Sequence, residues 1–362
     1  MIEQLIIENY KSIRKASLKL DKLNVLIGAN GVGKSNFISS FDLFNAMYNQ
    51  RLGSYFLERG GVDNILYQGS KVSDYIRFLI DFDNTNAFTF SLKPANGGKA
   101  FIDSSGDYFN GVNDQKKEYG KWHWHQWDVS EEESSIRENN NYRADHIKRY
   151  LSSFTVYHFH DTSRTSYMRK ECKLGDNESL RHDASNLAAY LYKLQQTEKQ
   201  SFKLIEGVIH SIAPYFKRFI LRENPLREGY ISLEWEEVSS DAYRDAYSFS
   251  DGTLRFIALA TLLLQEKIPQ TIIIDEPELG LHPTAINKLA ALVRRASTNS
   301  QIILATQSVN LVNCFEPEDI IVVDREDNQT VFKHLERESL NLWLEEYNIG
   351  DIWEKNIIGG QP

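Results

Sequence analysis

The sequence predicts an α/β fold: a mixed, largely parallel sheet core, an antiparallel β subdomain and a small helical insertion, with no long coiled coil. Three observations carry that prediction. Residues 23–27 form a short apolar run feeding Gly28-Ala29-Asn30-Gly31-Val32-Gly33-Lys34-Ser35, and a helical stripe of Phe37, Ile38, Phe41, Leu43 and Phe44 leaves it. Residues 271–274 are a β-branched run closing on Asp275-Glu276. A third apolar run, 301–305, ends in Thr306-Gln307-Ser308. Polar tips on buried parallel strands gather along one sheet edge, where such folds bind ligands.

In chain order, 2–8 and 16–20 read as two strands joined by Asn9-Tyr10-Lys11-Ser12-Ile13-Arg14. Residues 54–70 are punctuated by glycine and read as loop. The alternating runs 75–82, 87–93 and 99–102, separated by turn residues, predict an antiparallel meander. Residues 122–127 (Trp-His-Trp-His-Gln-Trp) read as an aromatic strand, and 128–142 as an exposed acidic loop. His123 and His125 would share one strand face, as would His158 and His160 of the strand 155–160. A four-histidine metal site is one reading of them. No Cys or carboxylate stands nearby at a zinc-ligand spacing, so ring packing on a sheet is favoured. Helices are expected over 186–194 and 202–212, ended by Pro214, then short strands at 216–222 and 230–236.

The chain of 362 residues has room for one large domain, read as a β-rich lobe (1–127), a loop with helical insertion (128–222) and a second lobe (223–362). A net charge of −9 argues against a surface that grips nucleic acid as a whole. The two cysteines, Cys172 and Cys314, show no metal-like spacing and suit a reducing cytoplasm. No basic leader opens the sequence, and the longest apolar run, 256–264, is about half a membrane span. A cytoplasmic protein without membrane contact is expected.

The motifs carry chemistry. Gly28 to Ser35 fits the G-x-x-x-x-G-K-[ST] phosphate loop at every fixed position, and the strand and helix around it are the context that motif needs. Its glycines let backbone N–H groups, those of Asn30, Gly31 and Gly33 among them, converge on phosphates, and the helix dipole at Asn36 adds to them. Lys34 would reach the β- and γ-phosphates, and the Ser35 hydroxyl would ligate Mg²⁺. Asp275 would hold the same Mg²⁺, and Glu276 would polarise the attacking water. Ser250-Asp251-Gly252-Thr253 opens a helix running to about 265. Ser250 is explained either as a plain N-cap or, with Gly252, as a γ-phosphate contact. A further helix, about 284–297, is opened by Pro283.

Taken in order, the phosphate loop, Ser-Asp-Gly-Thr, Asp275-Glu-Pro-Glu-Leu-Gly-Leu-His-Pro283 and Ala-Thr-Gln-Ser resemble the ABC/RecF/SMC-type ATPase heads. More narrowly, with 157–163, 343–347 and 352–360, the chain resembles stand-alone bacterial AAA-type ATPases related to the ATPase half of the overcoming-lysogenization-defect (OLD) nucleases. The resemblance implies a head that sandwiches two ATPs between two protomers, as a homodimer or higher oligomer. It implies a signature at Ser250, Gly252 and Thr253 acting on the partner's nucleotide, a D-loop over 279–282 and a switch at Gln307. Gln307 departs from the histidine common there: an amide donates to a phosphate oxygen but carries no proton at neutral pH. Gln68 and the His160-Asp161 pair are alternative positions for the metal-facing Q-loop ligand, and Lys11 is implied to touch nucleotide.

Relatives of this kind work beside a separately encoded nuclease in DNA repair or defence against phage, and contact with DNA is inherited from them as an expectation. No room for a nuclease domain of Toprim type follows residue 340, so another chain is expected to supply it. The alternative is a nucleotide-sensing scaffold with little turnover. A GTPase is disfavoured, because Asn287-Lys288 is followed by Leu-Ala rather than the x-Asp of a guanine-specificity motif.

Overall fold

The computed structural model describes residues 1–82, 86–109, 123–240 and 242–361. The chain opens with β1 (Ile2–Tyr10), β2 (Ile13–Lys19) and β3 (Leu23–Ile27), then α1 (Lys34–Tyr48) and α2 (Leu52–Glu58). β4 (Ile76–Phe82), β5 (Asn86–Pro94), β6 (Ala100–Phe109) and β7 (His123–Glu131) follow, then α3 (Tyr142–Leu151), β8 (Val156–Tyr157) and β9 (Cys172–Lys173). The insertion holds α4 (Leu187–Thr197), α5 (Lys199–Ile212), β10 (Phe216–Ile220), β11 (Tyr230–Ile231), β12 (Glu234–Glu237) and β13 (Tyr243–Asp245). The remainder is α6 (Asp251–Leu264), β14 (Thr271–Asp275), α7 (Pro283–Ala296), β15 (Gln301–Thr306), α8 (Val309–Val312), β16 (Ile320–Glu326), β17 (Gln329–His334), α9 (Arg337–Leu344) and α10 (Ile349–Glu354).

Two six-stranded sheets result. One is antiparallel throughout, in the order β2-β1-β4-β5-β6-β7. The other runs β17-β16-β3-β15-β14-β8 and is parallel except for the β16–β17 hairpin. β3, β14 and β15 are apolar almost end to end, as strands covered on both faces must be. One face of this sheet, with Leu26, Ile273, Ile303 and Ile321, joins α1 and the antiparallel sheet in one core. The other face, with Val25, Ile274, Ile302 and Val322, packs on α4 to α8 and α10. α1 is thus the filling between two sheets.

Aromatic packing fixes that helix. Phe44 meets Phe78 edge-on at 5.0 Å and Phe41 meets Phe154 at 5.3 Å, with Phe37, Phe41 and Phe44 fully buried. The phosphate loop is therefore mounted between a rigid strand and a helix locked on both sides.

Three expectations change. Residues 54–70 are not all loop, since α2 begins at Leu52 and buries Tyr55 and Phe56. Part of 128–142 is strand, and Ser134 and Ile136 are buried there. The buried Asp128 carboxylate collects Ser105 Oγ at 2.6 Å, Ser134 Oγ at 3.0 Å and Ser135 Oγ at 2.5 Å, which draws the segment inward. β8 keeps only two residues of the expected 155–160 strand, because past Tyr157 the His158 N–H turns to the His182 carbonyl at 2.9 Å. The histidine pairs belong to different sheets. His125 accepts from Trp127 Nε1 at 2.8 Å, while the His158 and His160 rings lie 5.7 Å apart. Trp122 of the aromatic strand lies outside the described residues. Among the described residues no group of three His, Cys, Asp or Glu side chains could hold a metal ion. Among them, too, no helix is long and apolar enough to cross a membrane.

Candidate functional site

The loop is held by its own chain before any ligand. A Cβ at Gly28 would run into the Val323 carbonyl of β16, and one at Gly33, whose φ is +117°, into the Thr330 side chain of β17. Those two glycines answer to packing on the β16–β17 hairpin, whereas at Gly31 a Cβ would meet open space. Thr330 Oγ1 donates to the Val32 carbonyl at 2.7 Å and lies 2.7 Å from Ser12 Oγ. Ser12 in turn accepts from Asn36 Nδ2 at 2.7 Å. Sequence reading missed Ser12 and Thr330. They brace the loop from 16 residues before Gly28 and nearly 300 after Ser35, a proximity with no local signal.

Lys34 is 5% exposed and donates to the Gly28 carbonyl at 2.5 Å and the Ala29 carbonyl at 2.9 Å. Its ammonium is folded onto the loop, in place for an incoming anion. Burial pulls its pKa below that of a free lysine, and Glu276, Asp275 and Glu278 oppose the shift. Asn30, Gly31 and Ser35 face solvent.

Along the same edge, burial and then Glu276 raise the pKa of Asp275, opposed by His160, Lys34 and a hydrogen bond from Ser35. The Ser35 hydroxyl and the Asp275 carboxylate it meets are the oxygen donors that suit Mg²⁺, with the Lys34 ammonium near them for a phosphate. Glu276 follows with φ +43°, a left-handed conformation costly for a residue with a side chain. Its N–H donates to the Ala305 carbonyl at 2.8 Å, and its Oε1 accepts from Gln307 Nε2 at 2.5 Å. The backbone turn therefore throws the carboxylate across to the tip of β15. His160 Nε2 donates to the Asp275 carbonyl at 2.8 Å. Of the two expected Q-loop positions, His160 thus abuts the acidic strand.

Gln68 lies elsewhere. Its Nε2 donates to the Tyr67 hydroxyl at 3.0 Å, and it lines a cleft of about 560 Å³ with Lys11, Ser12, Asn36, Arg59 and Arg325. Lys11 Nζ donates to Ser39 Oγ at 2.7 Å. Burial, and then Arg59, push its pKa down to about 8, against the pull of Asp42. Lys11, Asn36 and Gln68 are brought together there, Asn36 standing two residues past Lys34 in α1.

Ser250 is the exposed N-cap of α6, accepting from the Thr253 N–H at 3.1 Å. Gly252 has a reason inside the chain: a Cβ there would strike the Gly280 carbonyl, so α6 and the turn after β14 touch backbone to backbone. Two buried arginines weld this corner. Arg169 donates from Nε to the Thr162 carbonyl at 2.8 Å and from NH2 to Asp251 at 2.7 Å. Arg255 donates to the Phe159 and His160 carbonyls at 2.7 and 2.8 Å. Neither was singled out in the sequence. Arg255 follows Ser250 and Gly252 in the same helix, and a cation beside so many apolar neighbours was the available signal.

The family described as "AAA domain, putative AbiEii toxin, Type IV TA system" matches residues 23–313. The chain is 24% identical over 181 residues to the Old nuclease of Escherichia phage P2, covering 44% of this chain and 31% of that protein. It is 28% identical over 87 residues to the phosphate import ATP-binding protein PstB 2 of Trichormus variabilis, covering 24% and 28%. The matched segments thus span less than a third of either relative. In fold, the chain is similar to an Smc head bound to the C-winged helix domain of ScpA, with a TM-score of 0.62 and 18% identity over 93% of this chain and 99% of that one. An Smc head with an extended coiled coil, derived from Pyrococcus furiosus, gives a TM-score of 0.57 and 16% identity over 95% and 98%.

Proposed function

Since the chain belongs to this AAA-domain family and is an ABC/SMC-type ATPase related to the Old nuclease, we propose that it hydrolyses ATP with Mg²⁺ in a nucleotide-dependent homodimer. The observation that carries the proposal is the contact between Glu276 and Gln307, on the same edge as Lys34, Ser35 and Asp275. In this reading Lys34 leaves the loop carbonyls for the β- and γ-phosphates. Ser35 and Asp275 hold Mg²⁺, which neutralises phosphate charge. Glu276 takes the proton of the attacking water. Gln307, as an amide donor, orients Glu276 and a γ-phosphate oxygen without itself carrying the proton. Ser250 and the start of α6 serve the nucleotide of the other protomer.

The work done with ATP is proposed to be regulation or driving of a separately encoded nuclease or other effector, in DNA repair or defence against phage, in the cytoplasm. Direct DNA contact has less support from the surface. Of the basic residues near 217–244, Lys217 and Arg218 share Glu236, Arg222 pairs with Glu234 and Arg244 with Glu237, so four cations there face three carboxylates and little positive charge is left over.

In excess ATP and Mg²⁺, the wild-type protein is expected to release many phosphates per protomer. A protein that self-associates on ATP yet releases no more than one per protomer over hours would support the nucleotide-sensing scaffold, which the amide at Gln307 favours. A protein that binds no ATP contradicts both.

Lys11 gives a pH signature. Its pKa of about 8 lies below the 10.5 of a free lysine, so between those values it is largely neutral in the protein alone. A triphosphate in reach of the cleft restores the charge, so nucleotide binding takes up a proton in this window and weakens as pH rises through it. Calorimetry at pH 9 in two buffers of different ionisation enthalpy is expected to show this uptake, and Lys11→Met to abolish it. Equal proton uptake by wild type and Lys11→Met would remove Lys11 from the site.

A further inference from the structure

We propose that Glu278 is a positioning residue for hydrolysis: its carboxyl group ties the tip of β15 to the turn after β14 and so aims Gln307 at Glu276. The inference rests on the reading of Glu276 as the group that polarises water.

The geometry is a short circuit of hydrogen bonds. Glu278 Oε1 accepts from Thr306 Oγ1 at 2.5 Å and from the Gln307 N–H at 3.3 Å. Thr306 Oγ1 also accepts from the Ser308 N–H at 3.0 Å, so the turn out of β15 is gathered around one oxygen pair. Gln307 Nε2 then reaches Glu276 Oε1 at 2.5 Å. The backbone of Gln307 is therefore anchored on one acid and its side chain on another, two residues earlier. Releasing the first anchor leaves the Gln307 amide on a strand tip with nothing to fix its distance from Glu276.

The surroundings make Glu278 an expensive way merely to fill space. Its Oε2 is buried and has no hydrogen-bond partner. Burial raises its pKa, against the Thr306 hydroxyl and two backbone N–H groups. The cations that feel its charge are Lys34, folded onto the loop carbonyls, and the buried Arg255 on the signature helix, whose guanidinium is spent on the Phe159 and His160 carbonyls. An apolar residue of similar volume would serve packing at lower cost. What only a carboxyl or an amide supplies here is the acceptor for Thr306 and Gln307.

The test is steady-state ATP hydrolysis and ATP affinity of the full chain for wild type, Glu278→Gln, Glu278→Leu and Thr306→Val. Glu278→Gln keeps an acceptor oxygen and is expected to hold kcat within about threefold of wild type. Glu278→Leu is expected to lose about ten- to a hundredfold in kcat, as for an ångström-scale misplacement, while KM and ATP affinity stay within about twofold. Thr306→Val, which removes only the hydroxyl, is expected to fall between them, and it carries the test alone should Glu278→Leu fail to fold. Wild-type kcat in Glu278→Leu or in Thr306→Val overturns the inference. So does loss of ATP affinity in step with kcat, which marks a structural brace, or a Glu278→Gln as impaired as Glu278→Leu. Wild-type turnover is read in the same assay. Its absence overturns the ATPase reading as well, whereas normal wild-type turnover with unaffected variants overturns only the role of Glu278.

Discussion

Replacing Glu276 with glutamine is expected to cut ATP turnover at least about a hundredfold while changing ATP affinity no more than a fewfold. Two features set the size of this effect. At Glu276 the backbone is left-handed, with φ +43° and its N–H on Ala305, and the side chain reaches across the edge to Gln307. An amide at 276 has nearly the same shape, so packing and the phosphate loop stay as they are. What disappears is the carboxylate that Gln307 faces and that has no metal-holding role, the group assigned to take the proton of water. Bound ATP then persists, and the variant is expected to accumulate as a nucleotide-bound dimer at twice the 41.8 kDa chain mass. Phosphate release, nucleotide retention and light scattering check the three parts. Wild-type turnover in Glu276→Gln would dismiss the assignment.

Lys34→Ala is expected to fail one step earlier, at binding. The ammonium already sits 5% exposed against the Gly28 and Ala29 carbonyls, so little reorganisation is needed to move it onto phosphate. Removing it leaves two loop carbonyls without a donor, worth about 1–3 kcal/mol, offset by relief of a buried charge. The fold should therefore survive with a small change in melting temperature. ATP affinity is expected to drop about a hundredfold or more, the loss of a desolvated charge-assisted contact, and turnover with it. Nucleotide titration and thermal unfolding on the same sample separate the two effects. Unchanged affinity would mean that the loop is not the phosphate site.

Much of this site was legible because it is made of local patterns. The strand, glycine loop and helix over 23–48 form one contiguous word, and the β-branched run ending at Asp275 another. Hydrophobic periodicity placed α6, α7 and β15 to within two residues or so. What escaped is what depends on contacts between distant segments. Gly28, Gly33 and Gly252 read as openings for a ligand, whereas Val323, Thr330 and Gly280 already press on them. β8 alternates like a longer strand but lacks a partner beyond Tyr157, so tertiary pairing ended it early. The buried arginines 169 and 255 look like surface charges in a one-dimensional pattern. Only the fold shows that they tie the segment after β8 to the start of α6. Glu278 passed as one more acid in an acidic turn.

The central claim is that each active site takes its phosphate loop from one protomer and its signature from the other. Mixing two inactive variants tests it most directly. Lys34→Ala damages only the loop. Ser250→Arg places a bulky cation at the exposed start of α6, where the cap lost is worth about 1 kcal/mol. Ser250 is preferred to Gly252, because a side chain at Gly252 would collide with Gly280 of its own chain. In a mixed dimer one site carries both lesions and the other neither. Equal mixing of the two variants is therefore expected to restore about a quarter of wild-type phosphate release, half the dimers being mixed with one sound site of two. A mixture as inactive as its two components would contradict a shared site and return Ser250 to the role of a helix cap.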